Sequence, residues 1–251
     1  MTGKKIWIEI GDFRVQSIDL DRVINIKTME KIKSVYKKIN LADWKRKEHF
    51  AVYRSQMKCG FSLTTKINIA KVLPFIKENG YKLYPVMIYL IARAVNKHDA
   101  FKMAMKEGEL IVWDYVDPIY TVLHSETETF SALTAIYDKD FTRFMANYND
   151  VGERHADNLH FFPEQPPENH FNISAIPWIN FDSFNLHIAD FTDYFAPSFT
   201  IGKYKKQADE TLMPIAIQVH HAVCDGIHVA QLISTLEEYC ENIETVIKSQ
   251  V

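Results

Sequence analysis

The chain has 251 residues, 47% of them apolar, which is enough to bury one sizeable core. Its net charge of −3, with 29 Lys and Arg against 32 Asp and Glu, argues against a nucleic-acid binder, which normally carries a basic face. The longest strongly apolar stretch, YPVMIYLIARAV, is too short to span a bilayer and contains Arg93, so no membrane segment is expected.

The start, MTGKKIWIEIGDF, lacks the apolar core and cleavage site of a secretory signal. KIWIEI within it is strand-like. Helical spacing appears first in DWKRKEHFAVYRS, at Trp44, Phe50 and Tyr53. CGFSLTTKINI reads as a strand rich in β-branched and aromatic residues. IAKVLPFIKENG reads as a helix closed by Gly80, with Pro74 marking a kink or a start inside it. YPVMIYLIARAVNKH predicts a buried helix beginning at Pro85. ELIVWDYVDPIYTVLH and FSALTAIY predict strands, with a turn at Asp117-Pro118. KDFTRFMANYNDVGERH predicts an amphipathic helix, and the proline-rich FFPEQPPENHFNIS a loop. NISAIPWINF, APSFTIGKY and TLMPIAIQVHH are strand-like, and GIHVAQLISTLEEYCENIETVIK closes the chain as one helix. Strands and helices mix without strict alternation. The expected fold is an α/β two-layer sandwich: one mixed β-sheet with helices mainly on one face.

Glycine is scarce and nowhere spaced G-x-G, which removes the dinucleotide fingerprint and the phosphate loop. Cys59, Cys224 and Cys240 are odd in number and widely spaced, so they imply no disulfide framework and fit a reducing cytoplasm.

The chemistry concentrates in PIAIQVHHAVCDG. Side chains alternate along a strand, so Ile215, Ile217, Val219 and His221 share one face and Ala216, Gln218 and His220 the other. Asp225 stands where a helix should begin, an N-cap position, and Gly226 permits a tight turn. Two adjacent histidines diverge, unlike the i, i+4 pairs of helical zinc sites, so no metal is expected. Cys224 lies between His221 and Asp225, but nothing in the sequence marks a stabilised thiolate. What remains is a histidine acting as general base on a substrate hydroxyl or thiol, with an oxyanion donor elsewhere.

HHAVCDG also matches the HHxxxDG signature of CoA-dependent acyltransferases. With WKRKEHFAVYR, CGFSLT, YPVMIYLIARAVN, ELIVWDYVDPIYTV, ETETFSAL, NISAIPWINFDSFNL and FTDYFAPSFTIGKY in family order, the chain resembles the trimeric chloramphenicol acetyltransferases from about residue 29 to its end. Residues 1–28 have no counterpart in that pattern. They are expected to be an N-terminal extension of unassigned role, and residues 29–251 a single acetyltransferase domain.

The resemblance implies acetyl transfer from acetyl-CoA, a co-substrate rather than a tightly bound cofactor, to the primary hydroxyl of chloramphenicol. It implies a homotrimer with active sites at subunit interfaces, and a role in antibiotic resistance. His221 matches the catalytic base and Ser174 the oxyanion donor. Asp225 matches an aspartate paired with an arginine at Arg46, a network that Asn185 supports. Thr200 matches a residue that orders water near the oxyanion. Tyr53, Phe130, Phe184 and Leu186, with Thr121 and Cys59 nearby, fall in the chloramphenicol pocket, and Trp178 and Tyr204 along the pantetheine arm of CoA. Taken singly, Arg46 reads as a wet helix face and the hydroxyl and aromatic residues as ordinary strand or core. Only their joint agreement with one pattern makes a site. Two other readings are a dihydrolipoyl acyltransferase core, which shares HHxxxDG, and a non-catalytic drug or CoA binder.

Overall fold

The structure, a computed structural model, describes residues 35–248 and the strand backbones of residues 8–10 and 13–15. The chain divides into two compact units, Met1–Ser34 and Val35–Val251. In the first, β1 (Ile8–Ile10) pairs antiparallel with β2 (Phe13–Val15), and the rest of KIWIEI lies outside the described residues. So do residues 29–34, the start of the expected catalytic domain.

In the larger unit the principal sheet has seven strands. β4 (Gly60–Asn68) and β12 (Glu210–His220) pair antiparallel over nine residue pairs. β10 (Ser198–Gly202) lies antiparallel to β12 and parallel to β9 (His170–Ile176). β7 (Asp117–His124) runs parallel to β9 and antiparallel to β8 (Thr129–Thr134). The short β11 (Lys205–Gln207) caps one end of β12. A second sheet holds β3 (Tyr36–Lys38), β5 (Met103–Lys106) and β6 (Glu109–Trp113). The mixed α/β architecture is the expected one.

Alternation decides what each face of the principal sheet meets. Tyr120, Phe171, Ile173, Phe199, Ile215 and Ile217 join the core. There they meet α3 (Leu83–Lys97), α4 (Phe141–Arg154) and α5 (Gly226–Glu241). In α3 the side chains of Val86, Ile88, Leu90, Ile91 and Val95 are fully enclosed, each contributing about 1.5–3 kcal/mol of burial free energy. Among the described residues no helix is long and apolar enough to cross a membrane.

Several local expectations shift. α1 spans only Lys47–Ala51 and continues as a π-helical turn, Val52–Gln56. Pro74 lies in the first turn of α2 (Val72–Asn79), where its missing N–H is no loss, so there is no kink. Gly80 ends α2 at φ 71°, a left-handed cap. α3 starts two residues before Pro85, again with proline in the first turn. Asp117-Pro118 is not the turn but the start of β7, the place where a strand tolerates proline. Strand β9 takes over the end of the expected loop and stops at Ile176, just before Pro177. The closing helix is two, α5 and α6 (Ile243–Lys248), parted at Asn242.

Candidate active site

β12 ends at His220, so His221 is the first residue beyond the strand rather than its last. The His220 carbonyl accepts from Val223 N at 3.3 Å and Cys224 N at 3.1 Å, folding the chain toward α5. His221 N still donates to Cys59 O at 3.0 Å, which extends the β4–β12 pairing by one residue. The imidazole therefore continues the face of Ile215, Ile217 and Val219, as the alternation predicts.

Four contacts orient that ring. Tyr53, in the π-helical turn, stacks on it with centroids 3.8 Å apart and an interplanar angle of 12°. Phe61 meets it edge-on at 5.1 Å. Nδ1 lies 3.2 Å from Cys224 O and 3.0 Å from Asp225 Oδ1. Both are acceptors, so Nδ1 carries the hydrogen and Nε2 keeps its lone pair. That is the tautomer a general base needs.

Asp225 is the N-cap residue of α5, and its backbone N–H donates to His228 Nδ1 at 2.9 Å. Its Oδ2 accepts from Arg46 Nη1, and Arg46 Nη2 donates to His221 O at 3.3 Å. Burial pushes the Asp225 carboxyl up, but the Arg46 bond and charge, with two imidazoles nearby, hold it below the ordinary carboxylate value. The side chains of Arg46 and Asp225 are 16% and 27% exposed. Breaking a pair this enclosed is expected to cost about 1.5–3 kcal/mol, the range for a hydrogen bond to a charge, and less than full burial implies. Asp225→Asn and Arg46→Val should thus both lower the melting temperature along with activity. The lowered carboxyl stabilises the fold above its unfolded pKa and loses that effect as pH falls through the folded one. The acid loss of stability below about pH 4 should accordingly be shallower in Asp225→Asn. Normal melting curves in both variants would remove the structural role of the pair.

Cys224 is 1% exposed and its thiol is pushed up to about 12 by burial, which takes it out of consideration as a nucleophile.

A second polar group occupies the opposite face of the sheet. Register places Ser174 beside Thr200, Thr200 beside Ala216, and Ala216 beside Thr64. Ser174 Oγ and Thr200 Oγ1 are 3.1 Å apart. Thr121 follows Tyr120, which pairs with Ile173, and so continues the same row. Two backbone bonds tie the segment after β9 to this face. Phe184 N donates to Thr64 Oγ1 at 3.3 Å, and Leu186 N to Gln218 Oε1 at 3.0 Å. A small cavity beneath them is lined by Phe184, Leu186, Ser198, Thr200 and Gln218.

The expected site residues therefore fall into separate groups within one chain. His221, Asp225, Arg46, Tyr53 and Cys59 cluster at the strand end. Ser174, Thr200, Phe184 and Leu186 lie elsewhere, on the other face. Ala216 and His221 are five residues apart, about 17 Å along the strand, and an odd offset points them to opposite faces. Asn185 stands between Phe184 and Leu186, exposed, and within the single chain it is bonded to neither Arg46 nor Asp225. It is held with the sheet-face group, not at the strand end. Phe130, 44% exposed, packs on Phe161 with centroids 5.3 Å apart, at the edge strand β8. Trp178 and Tyr204 each stand two residues beyond the Ile176–Gly202 pair that ends β9 and β10, 63% and 43% exposed. Phe61, Thr64 and Gln218 were given no site role from the sequence; their role emerges only once β4 pairs with β12.

The fold matches a solved chloramphenicol acetyltransferase with a TM-score of 0.73 over 82% of this chain and 100% of that one. At 21% identity that likeness shows the fold alone. Sequence comparison is more specific. The family model described as chloramphenicol acetyltransferase matches residues 34–237. Chloramphenicol acetyltransferase 3 of Escherichia coli is 55% identical over 82% of this chain and 98% of its own length. Chloramphenicol acetyltransferase 2 of Escherichia coli is 53% identical over 83% and 98%. The chain belongs to the chloramphenicol acetyltransferase family, which displaces the dihydrolipoyl acyltransferase reading.

Proposed function

We propose that this protein acetylates the primary hydroxyl of chloramphenicol with acetyl-CoA, using His221 as general base. The observation that carries the mechanism is the pair of acceptors on His221 Nδ1, Cys224 O and Asp225 Oδ1, which leaves the lone pair on Nε2. Nε2 takes the hydroxyl proton as the oxygen attacks the thioester carbonyl. Ser174 donates to the tetrahedral oxyanion. The intermediate expels the CoA thiolate, which takes the proton back from His221. Both substrates meet in one site, so no acyl-enzyme is needed. Phe130, Phe184 and Leu186 supply aromatic and aliphatic walls suited to a nitrophenyl acceptor, and Trp178 and Tyr204 an exposed track for the pantetheine arm. The acetylated drug loses a hydroxyl needed for its action, which makes the role antibiotic resistance. The three thiols are free, in keeping with a cytoplasmic site of action.

The same reading requires a second copy of the chain. A base and an oxyanion donor on opposite faces of one sheet cannot serve one carbonyl. A neighbouring subunit must bring its Ser174 face to His221, and a homotrimer with interfacial sites does so. The exposed Phe130, Phe161 and Phe162 pack ring on ring, with Leu123 opposite Phe130, an apolar patch of the kind that association buries.

Thiol release from acetyl-CoA, with and without chloramphenicol, tests the reaction. Chloramphenicol-independent release, or none, removes it. Mixing tests the assembly. His221→Ala and Ser174→Ala chains, unfolded and refolded together at equal amounts, should regain about a quarter of wild-type activity, since a mixed ring contains one intact pair. Sites built within single chains would stay dead.

A further inference from the structure

We propose that His220 is a positioning residue that shapes the catalytic turn through one acceptor atom, its Nδ1. The inference rests on His221 being the base.

His220 is 1% exposed, with the rings of Phe191 at 5.4 Å and Phe195 at 4.8 Å. Its Nδ1 accepts the backbone N–H of Ala222 at 3.0 Å. An accepting Nδ1 carries no hydrogen, so the proton of the neutral ring sits on Nε2. Nε2 faces the backbone of Phe191 without closing a full hydrogen bond. Burial lowers the proton affinity of the ring, which keeps it neutral and keeps Nδ1 an acceptor. The adjacent histidines thus hold opposite tautomers: Nε2–H on His220, Nδ1–H on His221.

The bond from Ala222 N to a side chain two residues earlier has the connectivity of an Asx turn, made here by an imidazole. It acts with the His220 carbonyl, which holds the N–H groups of Val223 and Cys224. Together they use every backbone donor from Ala222 to Cys224. That geometry presents Cys224 O to His221 Nδ1 at 3.2 Å, one of the two contacts, with Asp225 Oδ1 at 3.0 Å, that fix the base tautomer. The chain of cause runs from His220 Nδ1 through the turn to His221 Nε2.

The far side of the ring is closed by residues 190–195. Asp193 in that segment grips Arg54 through two bonds, at 2.6 and 3.0 Å. Arg54 follows Tyr53, whose ring stacks on His221. Gly60, paired with His220, has no side chain because a Cβ there would lie 2.5 Å from the Phe191 ring. One segment therefore encloses His220 and braces the turn that carries Tyr53.

His220→Asn and His220→Gln separate this role from simple space filling. The asparagine Oδ1 can take the position of Nδ1 and restore an Asx turn; glutamine carries its acceptor one methylene too far out. In the full-length enzyme, His220→Asn should keep kcat within about threefold of wild type. His220→Gln should lose about 10–100-fold in kcat, at unchanged KM for both substrates, through misaligned reacting groups. Nitrogen-15 NMR of the wild-type imidazoles should show Nε2–H on His220 and Nδ1–H on His221, with the latter blurred in His220→Gln. Equal kcat in the two variants overturns the proposal. So does a wild-type spectrum with Nδ1–H on His220, a result that needs no variant to fold. Full activity in His221→Ala would remove the base reading separately, because the two position-220 variants are compared with each other.

Discussion

Replacing His221 by alanine is expected to lower kcat for acetyl transfer by at least about 10²–10⁴-fold, the usual contribution of a positioned general base. The upper end is the better expectation, because the same nitrogen serves twice. In the proposed mechanism Nε2 takes the hydroxyl proton and then returns it to the departing thiolate, and alanine would end both transfers. The loss should be confined to chemistry. His221 is partly exposed, so its removal leaves no sealed void, and the Arg46–Asp225 pair stays in place. A melting temperature close to wild type should accompany the lost turnover. The substitution removes a hydrogen-bond partner from Asp225 but not its cation, so the carboxylate remains compensated. His220→Ala is the informative contrast. It opens a cavity between Phe191 and Phe195 and frees the Ala222 N–H, so stability should fall with activity. Activity that survives His221→Ala and disappears only with His220→Ala would reverse the assignment.

Local rules exposed the parts of this molecule that rest on local causes. Alternation in PIAIQVHH marked β12 and put His221 on the face of Ile215 and Ile217. Helical spacing marked α3 and α4, and Gly80 the end of α2. Strands β3, β5 and β11 have three or four residues each, too few for a period to show, and exist because of what they pair with. Asp-Pro is a turn signal by propensity, but the buried Asp117 carboxyl binds Tyr137 N at 2.7 Å, and that contact fixes it as a strand start. The π-helical turn that aims Tyr53 at His221 has no signature of its own. The site divides the same way. His221, Asp225 and Arg46 were legible from one motif and one resemblance, and the structure joins them. The placement of Asn185 was not, because its neighbours are tied through their backbone to Thr64 and Gln218, residues far away in sequence. The separation of Ser174 from His221 was also invisible before the strand order was known, since spacing along a chain says nothing about the face of a sheet.

Ser174→Ala should lower kcat by about 10²–10³-fold, the effect of removing one oxyanion donor. The local geometry gives the reason why, in the proposed mechanism, a single hydroxyl carries so much. β9 runs straight past Ser174 to Ile176, so no glycine turn or helix start presents paired backbone N–H groups there. The hydroxyl is also prepared. Ser174 Oγ lies 3.1 Å from Thr200 Oγ1, and one of the two must donate. When Thr200 donates to Ser174, the Ser174 hydrogen is released toward the oxyanion and polarised by the bond it accepts. Thr200→Val should therefore cost part of what Ser174→Ala costs, with both variants folded as wild type. KM for acetyl-CoA and for chloramphenicol should hardly change in either, because a thioester carbonyl is a weak acceptor and the bond strengthens only as charge develops on it. Ser174→Thr keeps the hydroxyl, and its rate depends on whether one more methyl fits beside Thr200 and Ala175. Steady-state kinetics on the alanine variant decide the role: a large rise in KM at unchanged kcat would make Ser174 a ground-state binding residue and leave the oxyanion in need of another donor.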